Sequence, residues 1–230
     1  MCTLALYFQV FPGYPLVVVA NRDESLSRPS APPLLLQETP WIFGGKDLLA
    51  GGTWLGVNQS GLIAGLLNRH APGPPDSHRR SRGLLCLDAL RFTTTHAAVR
   101  FVQAESAARY NPFNLLVADA DDAYVVHPVA DTVHVQKLKP GVHLLTNLNL
   151  NDPECPRIAK SFQHFQQVMV GQLSHIPFSL STLFHRLHAL LSDHTTALDP
   201  RRTDPRNGLC LHLDGYGTCS SSLLAYSASQ

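Results

Sequence analysis

The order of the predicted strands and helices limits the possible folds more than any other feature of this chain. Apolar and β-branched runs predict strands, and apolar residues spaced three and four apart predict helices. Strands or short apolar stretches are predicted at residues 3–10, 16–20, 41–43, 53–58, 61–67, 113–118, 124–127, 132–138, 142–146, 208–213 and 218–226. Helices are predicted at residues 84–92, 96–108, 156–170 and 180–192, and proline-rich loops at residues 29–33 and 70–82.

The predicted helices come in two pairs, and the predicted strands come in groups. A doubly wound parallel sheet is excluded, because it would alternate single strands with single helices. The order favours the α+β class, with two antiparallel sheets packed together and a helix layer on each outer face. No repeat, low-complexity tract or long linker divides the chain, so residues 1–230 are expected to form a single domain.

Charge and cysteine usage exclude several classes of function. The 18 basic residues nearly balance the 17 acidic ones, whereas nucleic-acid binding needs clustered positive charge. No apolar run approaches the roughly 20 residues of a membrane helix, and the N-terminus lacks the basic segment of a secretory signal. The five cysteines are scattered without a C-x-x-C pair. We therefore expect a cytoplasmic protein without a disulfide framework; the oligomeric state is not indicated.

Cysteine at position 2 is the most informative residue for chemistry. Removal of Met1 would give Cys2 a free α-amine beside its thiol, and an α-amine with a pKa near 8 can accept the thiol proton. The resulting thiolate is a strong nucleophile towards a carbonyl carbon. The alternative is an ordinary small apolar residue that follows the initiator methionine.

A hairpin centred on Pro12-Gly13 predicts which residue faces Cys2. Paired positions would sum to 25 and place Cys2 opposite Asp23, although a longer loop or a one-residue slip is also compatible with a Pro-Gly turn. A carboxylate there would hold the protonated α-amine. We expect a lowered pKa for the Cys2 thiol that depends on Asp23. Alternation puts Asn21 and Asp23 on one face and Arg22 on the other.

Several motifs carry a family resemblance. Cys2-Thr3, the tetrad at residues 21–24, the run Gly-Gly-Thr-Trp-Leu-Gly-Val-Asn at 51–58, Thr-Asn at 146–147 and Tyr-Gly-Thr at 216–218 resemble the transport-and-Golgi-organisation family, also called the NRDE family. The resemblance covers nearly the whole chain. It implies a four-layer αββα sandwich of the N-terminal nucleophile (Ntn) hydrolase type.

A more distant resemblance implies roles for individual residues. The segment 56–68 is similar to part of the bile-salt hydrolase and penicillin V acylase family. By this resemblance Asn68 stabilises an oxyanion and Asn147 lies near the nucleophile, alongside Cys2 and Asp23. Substrate contacts are expected from Asn21, Arg22, Asn58 and His70. Ala20 and Cys219 stand where related proteins have arginine, so a positive charge that could orient Asp23 is missing from both positions.

Two functions follow from these resemblances. The first is hydrolysis of a non-peptide C–N amide bond in a small molecule through an acyl-Cys2 intermediate, with no cofactor required. The alternative is a non-catalytic carrier or chaperone for haem or another hydrophobic ligand, since the family has been connected with haem and Golgi trafficking. In that case His70 would serve as a labile axial ligand.

Histidine is frequent, but its spacing does not complete a metal-ligand set. His185 and His188 are spaced to share one side of a predicted helix, and Cys210 and His212 are spaced to share one face of a predicted strand. No carboxylate or cysteine nearby completes a ligand set for His185 and His188, and the indication from Cys210 and His212 is equally weak. We therefore expect no metal site.

Overall fold

The computed structural model describes residues 2–174, 178–195 and 204–227. Within these residues the strands are Thr3–Phe11 (β1), Tyr14–Ser25 (β2), Ser30–Glu38 (β3), Trp41–Asp47 (β4), Leu55–Asn58 (β5), Ile63–Asn68 (β6), Phe113–Ala118 (β7), Ala123–Val129 (β8), Thr132–Lys137 (β9), Gly141–Leu145 (β10), His212–Leu213 (β11) and Tyr216–Tyr226 (β12). The α-helices are Arg82–Ala89 (α1), Thr95–Ala104 (α2), Pro156–Leu173 (α3) and Leu180–Leu191 (α4).

The chain forms two compact units. The first comprises Met1–Ser27 with Pro140–Gln230, and the second comprises Arg28–Lys139. Among the described residues, each unit has one sheet and one pair of α-helices. A single domain over residues 1–230 stays a prediction. Among the described residues, no helix is both long enough and apolar enough to span a membrane.

The first unit contains an antiparallel sheet with the strand order β10-β1-β2-β12-β11. β1 and β2 contain runs of consecutive apolar residues, and every second one packs one face of this sheet under α3 and α4. The packed residues include Tyr7, Val19, Phe165 and Leu187. The Tyr7 hydroxyl donates a hydrogen bond of 3.0 Å to the Phe165 carbonyl, so the buried phenol is satisfied within the same unit.

The second unit contains a seven-stranded antiparallel sheet in the order β3-β4-β5-β6-β7-β8-β9. The chain leaves this sheet once, between β6 and β7, to form α1 and α2. Apolar residues at helical spacing on α1 and α2, such as Leu85 and Val102, pack against Leu115 and Val126 of the sheet. Two antiparallel sheets with paired helices confirm the predicted α+β class.

The proline-rich segment that was expected to be a loop forms strand β3 instead. It lies at the edge of its sheet, where an N–H that faces away from the neighbouring strand is not needed for pairing. Pro32 and Pro33 lie at an irregularity, where the pairing with β4 shifts between Ala31 and Leu34. The prediction was wrong because proline excludes a central strand position but tolerates an edge.

The β1–β2 register differs by one residue from the register predicted. Phe11 pairs with Tyr14 around the Pro12-Gly13 loop, as a sum of 25 requires, but Phe8 pairs with Leu16 and Thr3 pairs with Asn21. A bulge between Phe8 and Phe11 causes the shift; it contains Gln9, whose φ is 52°. Pro15 lies opposite this bulge and has no N–H to donate to β1. Continuing the register places Cys2 opposite Arg22, so the predicted pairing with Asp23 is wrong.

The glycine-rich run before β5 positions helix α1 against the chain. A Cβ atom on Gly52 would lie 2.2 Å from the Gly83 carbonyl carbon, which only a glycine can avoid. The close approach allows the Thr53 N–H to donate to the Gly83 carbonyl at 3.0 Å. Gly51 has a φ of +75° but no atom within 4 Å of an added Cβ. The two neighbouring glycines are therefore required for different reasons.

Substitution of these two glycines by alanine should separate the two causes. We expect Gly52→Ala to lower the free energy of unfolding by about 3–4 kcal/mol, because the helix must move and the Thr53 hydrogen bond is lost. Gly51→Ala should cost about 1–2 kcal/mol, the strain of a left-handed alanine. Urea unfolding at equilibrium measures both values. Equal costs at the two positions would contradict the packing argument.

Candidate functional site

Asp23 is a charged residue buried near the end of β2. Its side chain is fully buried. Thr218 lies directly opposite on β12 and donates a hydrogen bond of 2.6 Å from Oγ1 to Asp23 Oδ1. Arg157 donates from Nη1 to Asp23 Oδ2 at 3.0 Å. Both carboxylate oxygens are therefore held by groups of the same unit, and the carboxylate has one fixed orientation.

Arg157 provides the positive charge for this carboxylate. Its side chain is 1% exposed and reaches from the first turn of α3 to the end of the sheet. Besides Asp23 it donates to Thr3 Oγ1 at 2.8 Å and to the carbonyl of Arg206. The guanidinium thus joins β1, β2 and the segment that precedes β11. Arg157 therefore supplies a positive charge to Asp23, although positions 20 and 219, where related proteins have arginine, are Ala20 and Cys219 in this chain.

Cys2 lies at the edge of this cluster, immediately before β1. Its Sγ is 3.6 Å from the main-chain carbonyl oxygen of Asp23, and the hydroxyl of Tyr216 donates to the same oxygen at 3.1 Å. The thiol is therefore close to Asp23 although the two residues are out of register. The sulfur is directed to the main chain of Asp23.

The pKa of the Cys2 thiol is shifted upward, not downward. Burial raises the pKa because it disfavours the thiolate, and the negative charge of Asp23 acts in the same direction. In the chain that retains Met1, this direction is opposite to the expected lowering, which stays a prediction for the processed chain. The thiol needs a base to become a nucleophile, and burial alone does not activate it.

Asn147 lies two residues after the end of β10, and Thr146 separates it from the strand. Because Leu4 pairs with Leu145, continuing the antiparallel register places Cys2 opposite Asn147. Directly opposed residues have Cβ atoms about 4.5–5.5 Å apart. Among the described residues Asn147 Oδ1 is buried and has no hydrogen-bond partner. The amide of Asn147 is thus available beside the thiol.

Two asparagines predicted to contact substrate have hydrogen-bond partners within the fold. The Asn21 side chain is buried; its Nδ2 donates to the carbonyls of Leu191 and Leu209, and its Oδ1 accepts from Ser221. Asn58 Nδ2 donates to the carbonyls of Leu90 and Phe92, while its Oδ1 accepts from the N–H groups of Ser60 and Leu62. Asn58 uses all four hydrogen-bonding positions of its amide. Their substrate-binding roles stay predictions.

The remaining predicted residues divide between the two units. Arg22 belongs to the first unit, is buried, and alternates with Asn21 and Asp23 along β2. Asn68 ends β6 in the second unit and is exposed, as is His70. Within that unit Asn68 and His70 border a cavity that also includes Arg79.

Arg157, Thr3, Thr218 and Tyr216 are the contributors that sequence reasoning missed. Arg157 is 134 positions from Asp23, so no local pattern connects them. One indication was present: Arg157 follows Pro156 in the first turn of a predicted helix. A positive charge is unfavourable at this end of a helix dipole, so its presence there calls for a negative partner.

The sequence profile of the family Transport and Golgi organisation 2 matches residues 1–230. The chain belongs to this family. The human Transport and Golgi organization protein 2 homolog is 32% identical over 169 residues, which cover 66% of this chain and 59% of the human protein. The matched segment thus spans less than two thirds of that relative.

Two solved structures show the fold. Penicillin V acylase from Agrobacterium tumefaciens matches with a TM-score of 0.60 and 13% identity, over 100% of this chain and 84% of the acylase. The Caenorhabditis elegans orthologue of N-acylethanolamine-hydrolyzing acid amidase matches with a TM-score of 0.57 and 13% identity, over 81% of this chain and 85% of the amidase. Both neighbours are Ntn hydrolases, so the resemblance in fold noted from the sequence is confirmed.

Replacement of Arg157 tests whether the ion pair with Asp23 supports the first unit. We expect Arg157→Met to lower the free energy of unfolding by about 3–5 kcal/mol, because it leaves a buried carboxylate without its cation. Adding Asp23→Asn should recover part of that loss. A double-mutant cycle by urea unfolding measures the coupling. The exposed Arg206→Met is the control and should cost little; additive costs for Arg157 and Asp23 would contradict the coupling.

The alkylation rate of Cys2 against pH tests the direction of its pKa shift. In the chain that retains Met1, we expect iodoacetamide to react slowly near neutral pH and faster only above the ordinary thiol range. Asp23→Asn removes a negative charge that opposes the thiolate, so it should lower the pKa and speed the reaction at pH 8. Peptide mass spectrometry reads Cys2 separately from the exposed Cys219.

Glu24→Gln is the matched control for this experiment. The charge of Glu24 also raises the pKa of Cys2, but less than that of Asp23. Its effect on the alkylation rate should therefore have the same sign and be smaller. A Cys2 profile like that of a free thiol, unchanged in Asp23→Asn, is incompatible with the assignment.

Proposed function

We propose that this protein is an Ntn-type cysteine amidohydrolase that cleaves a non-peptide C–N amide bond through an acyl-Cys2 intermediate. The observation that carries the proposal is the arrangement of Cys2 beside Asp23, whose buried carboxylate is held by Arg157 and Thr218. An isolated buried carboxylate would be costly, and this one has a dedicated cation and a hydroxyl donor. The fold shared with penicillin V acylase is consistent with this proposal.

The proposed reaction begins with removal of Met1. The free α-amine of Cys2 then takes the thiol proton. It serves as the base that a thiol with a raised pKa needs. Asp23, whose carboxylate is oriented by Arg157 and Thr218, is proposed to hold the resulting ammonium. The orientation of the carboxylate sets where the ammonium lies relative to the thiolate.

Bond making and breaking follow from this arrangement. The thiolate attacks the amide carbonyl carbon, and the electron pair of the C=O bond moves to oxygen. Collapse of this tetrahedral intermediate breaks the C–N bond, and the leaving amine takes the proton from the ammonium. Water, deprotonated by the α-amine, then attacks the thioester and releases the acid, which restores the Cys2 thiol.

Asn147 is proposed to stabilise the oxyanion. The register places its side-chain amide next to Cys2. Among the described residues, Asn147 Oδ1 accepts no hydrogen bond. The O and N atoms of an amide are assigned from hydrogen bonding, so rotation of this group presents an N–H donor at the same place. Asn68 is proposed for the same role on the resemblance to the acylases. Arg22 is proposed to organise the end of β2 or bind substrate.

A panel of small amides tests this function through the covalent intermediate. We expect an acyl adduct on Cys2 by intact mass, formed only in chains from which Met1 has been removed, and absent in Cys2→Ser. Asn147→Ala should slow acylation about 100- to 1,000-fold, the usual cost of an oxyanion donor. Asn149→Ala, an exposed neighbour, is the matched control and should keep the rate.

Two outcomes would overturn the amidase proposal. One is complete retention of Met1 in the natively expressed protein, because the α-amine of Cys2 would then be unavailable as a base. The other is the lack of an adduct across the panel in processed protein. An adduct that persists in Cys2→Ser would assign the nucleophile to another residue.

Haem carriage is the second candidate, and the surroundings of His70 favour it. His70 is exposed at a cavity of about 390 Å³ in the second unit, bordered also by Arg69, Arg79 and Arg82. The imidazole suits an axial ligand, and guanidinium groups suit carboxylates such as haem propionates. A haem absorbance change that survives Cys2→Ser and weakens in His70→Ala, without an acyl adduct, would rank this function first.

A further inference from the structure

Three metal-binding side chains meet on the first unit, away from the ion pair of Asp23. His194 follows α4, Cys210 precedes β11 and His212 begins β11. One ligand atom from each residue lies within 4.8 Å of the other two. Cys210 Sγ is 3.8 Å from His212 Nε2, and the two imidazole rings have centroids 4.8 Å apart. The third ligand that the sequence did not supply nearby thus comes from a segment 16 residues upstream.

Main-chain hydrogen bonds hold the two segments together. The Cys210 N–H donates to the Asp193 carbonyl at 3.0 Å, which places Cys210 beside His194. On the other side, Leu211 N–H donates to Thr218 Oγ1 at 2.9 Å, and Thr218 N–H donates to the Leu211 carbonyl at 2.8 Å. The backbone therefore positions the three side chains independently of any contact among them.

The separation of the ligand atoms is close to that of a zinc site. Zn–S and Zn–N bonds of about 2.3 and 2.1 Å at a tetrahedral angle place sulfur and nitrogen about 3.6 Å apart. The observed separation of 3.8 Å between Cys210 Sγ and His212 Nε2 needs only a small side-chain rotation to match. Thiolate and imidazole ligands select Zn²⁺ over Mg²⁺ or Ca²⁺, which prefer oxygen.

We propose that His194, Cys210 and His212 bind one Zn²⁺ ion, with water in the fourth coordination position. The two histidines are exposed and border a surface cavity of about 320 Å³, so an ion can reach them from solvent. Cys210 is half-buried and would bind the ion through its sulfur.

The ion would cross-link a segment on which the Asp23 cluster depends. The chain between residues 204 and 213 supplies the Arg206 carbonyl to Arg157 and the Leu209 carbonyl to Asn21. A metal that ties Cys210 and His212 to His194 stabilises these contacts by binding only the folded state. By holding this segment the ion would support the Asp23 cluster, and this effect does not depend on amidase activity.

Cobalt titration tests the site, because Co²⁺ replaces Zn²⁺ and reports its ligands by absorbance. After chelator treatment and dialysis of the full chain, we expect one Co²⁺ per chain, with a thiolate-to-metal charge-transfer band that added Zn²⁺ abolishes. Cys210→Ser should lose the band. His194→Asn and His212→Asn should each weaken binding at least tenfold. Cys219→Ser and His188→Asn, exposed residues of the same unit, are the matched controls and should bind as the parent does.

A thermal melt with and without Zn²⁺ keeps the test valid if a variant folds poorly. Zinc should raise the melting temperature of the parent chain and of Cys219→Ser, but not that of His194→Asn or His212→Asn, whose side chains are exposed. No charge-transfer band in the parent overturns the proposal. A band that survives in Cys210→Ser, or that disappears in Cys219→Ser, overturns it equally.

Discussion

The buried ion pair between Arg157 and Asp23 is the interaction on which the first unit depends. Both side chains are withdrawn from water, which is unfavourable unless each charge is matched and its remaining donors and acceptors are bonded. Arg157 donates from its two Nη atoms to Thr3, Asp23 and the Arg206 carbonyl, and Asp23 also accepts from Thr218. The requirement to satisfy one guanidinium and one carboxylate therefore fixes the positions of β1, β2, β12 and the start of α3 relative to one another.

The same pair defines what Cys2 can do. Its sulfur lies against the Asp23 main chain, where burial and negative charge both disfavour a thiolate. A nucleophile in this place needs a nearby base that exists only after processing of the N-terminus. The raised pKa thus connects the chemistry of the thiol to the chemistry of the chain end, and an unprocessed chain keeps the thiol protonated and unreactive.

The fold class and the helices could be predicted from sequence, whereas the register and the charge pairing could not. Apolar periodicity located all four helices, since one buried face per helix is a local property. The hairpin loop was also located, but the bulge at Gln9 moved every residue beyond it by one position. Arg157 lies in a different element from Asp23, so only the folded chain could identify it as the counterion.

The residues that carry the family resemblance divide into those that shape the chain and those available for chemistry. Gly52 permits the main chain to approach Gly83 closely. The Asn58 side-chain amide donates to the Leu90 carbonyl and accepts from the Ser60 N–H in the turn after β5. Asn21 likewise secures the chain after α4. The structure shows contacts within the fold for all three of these positions. A motif match therefore establishes the fold more firmly than the reaction, and the reaction must be argued from the side chains that the fold brings together: Cys2, Asn147 and Asp23.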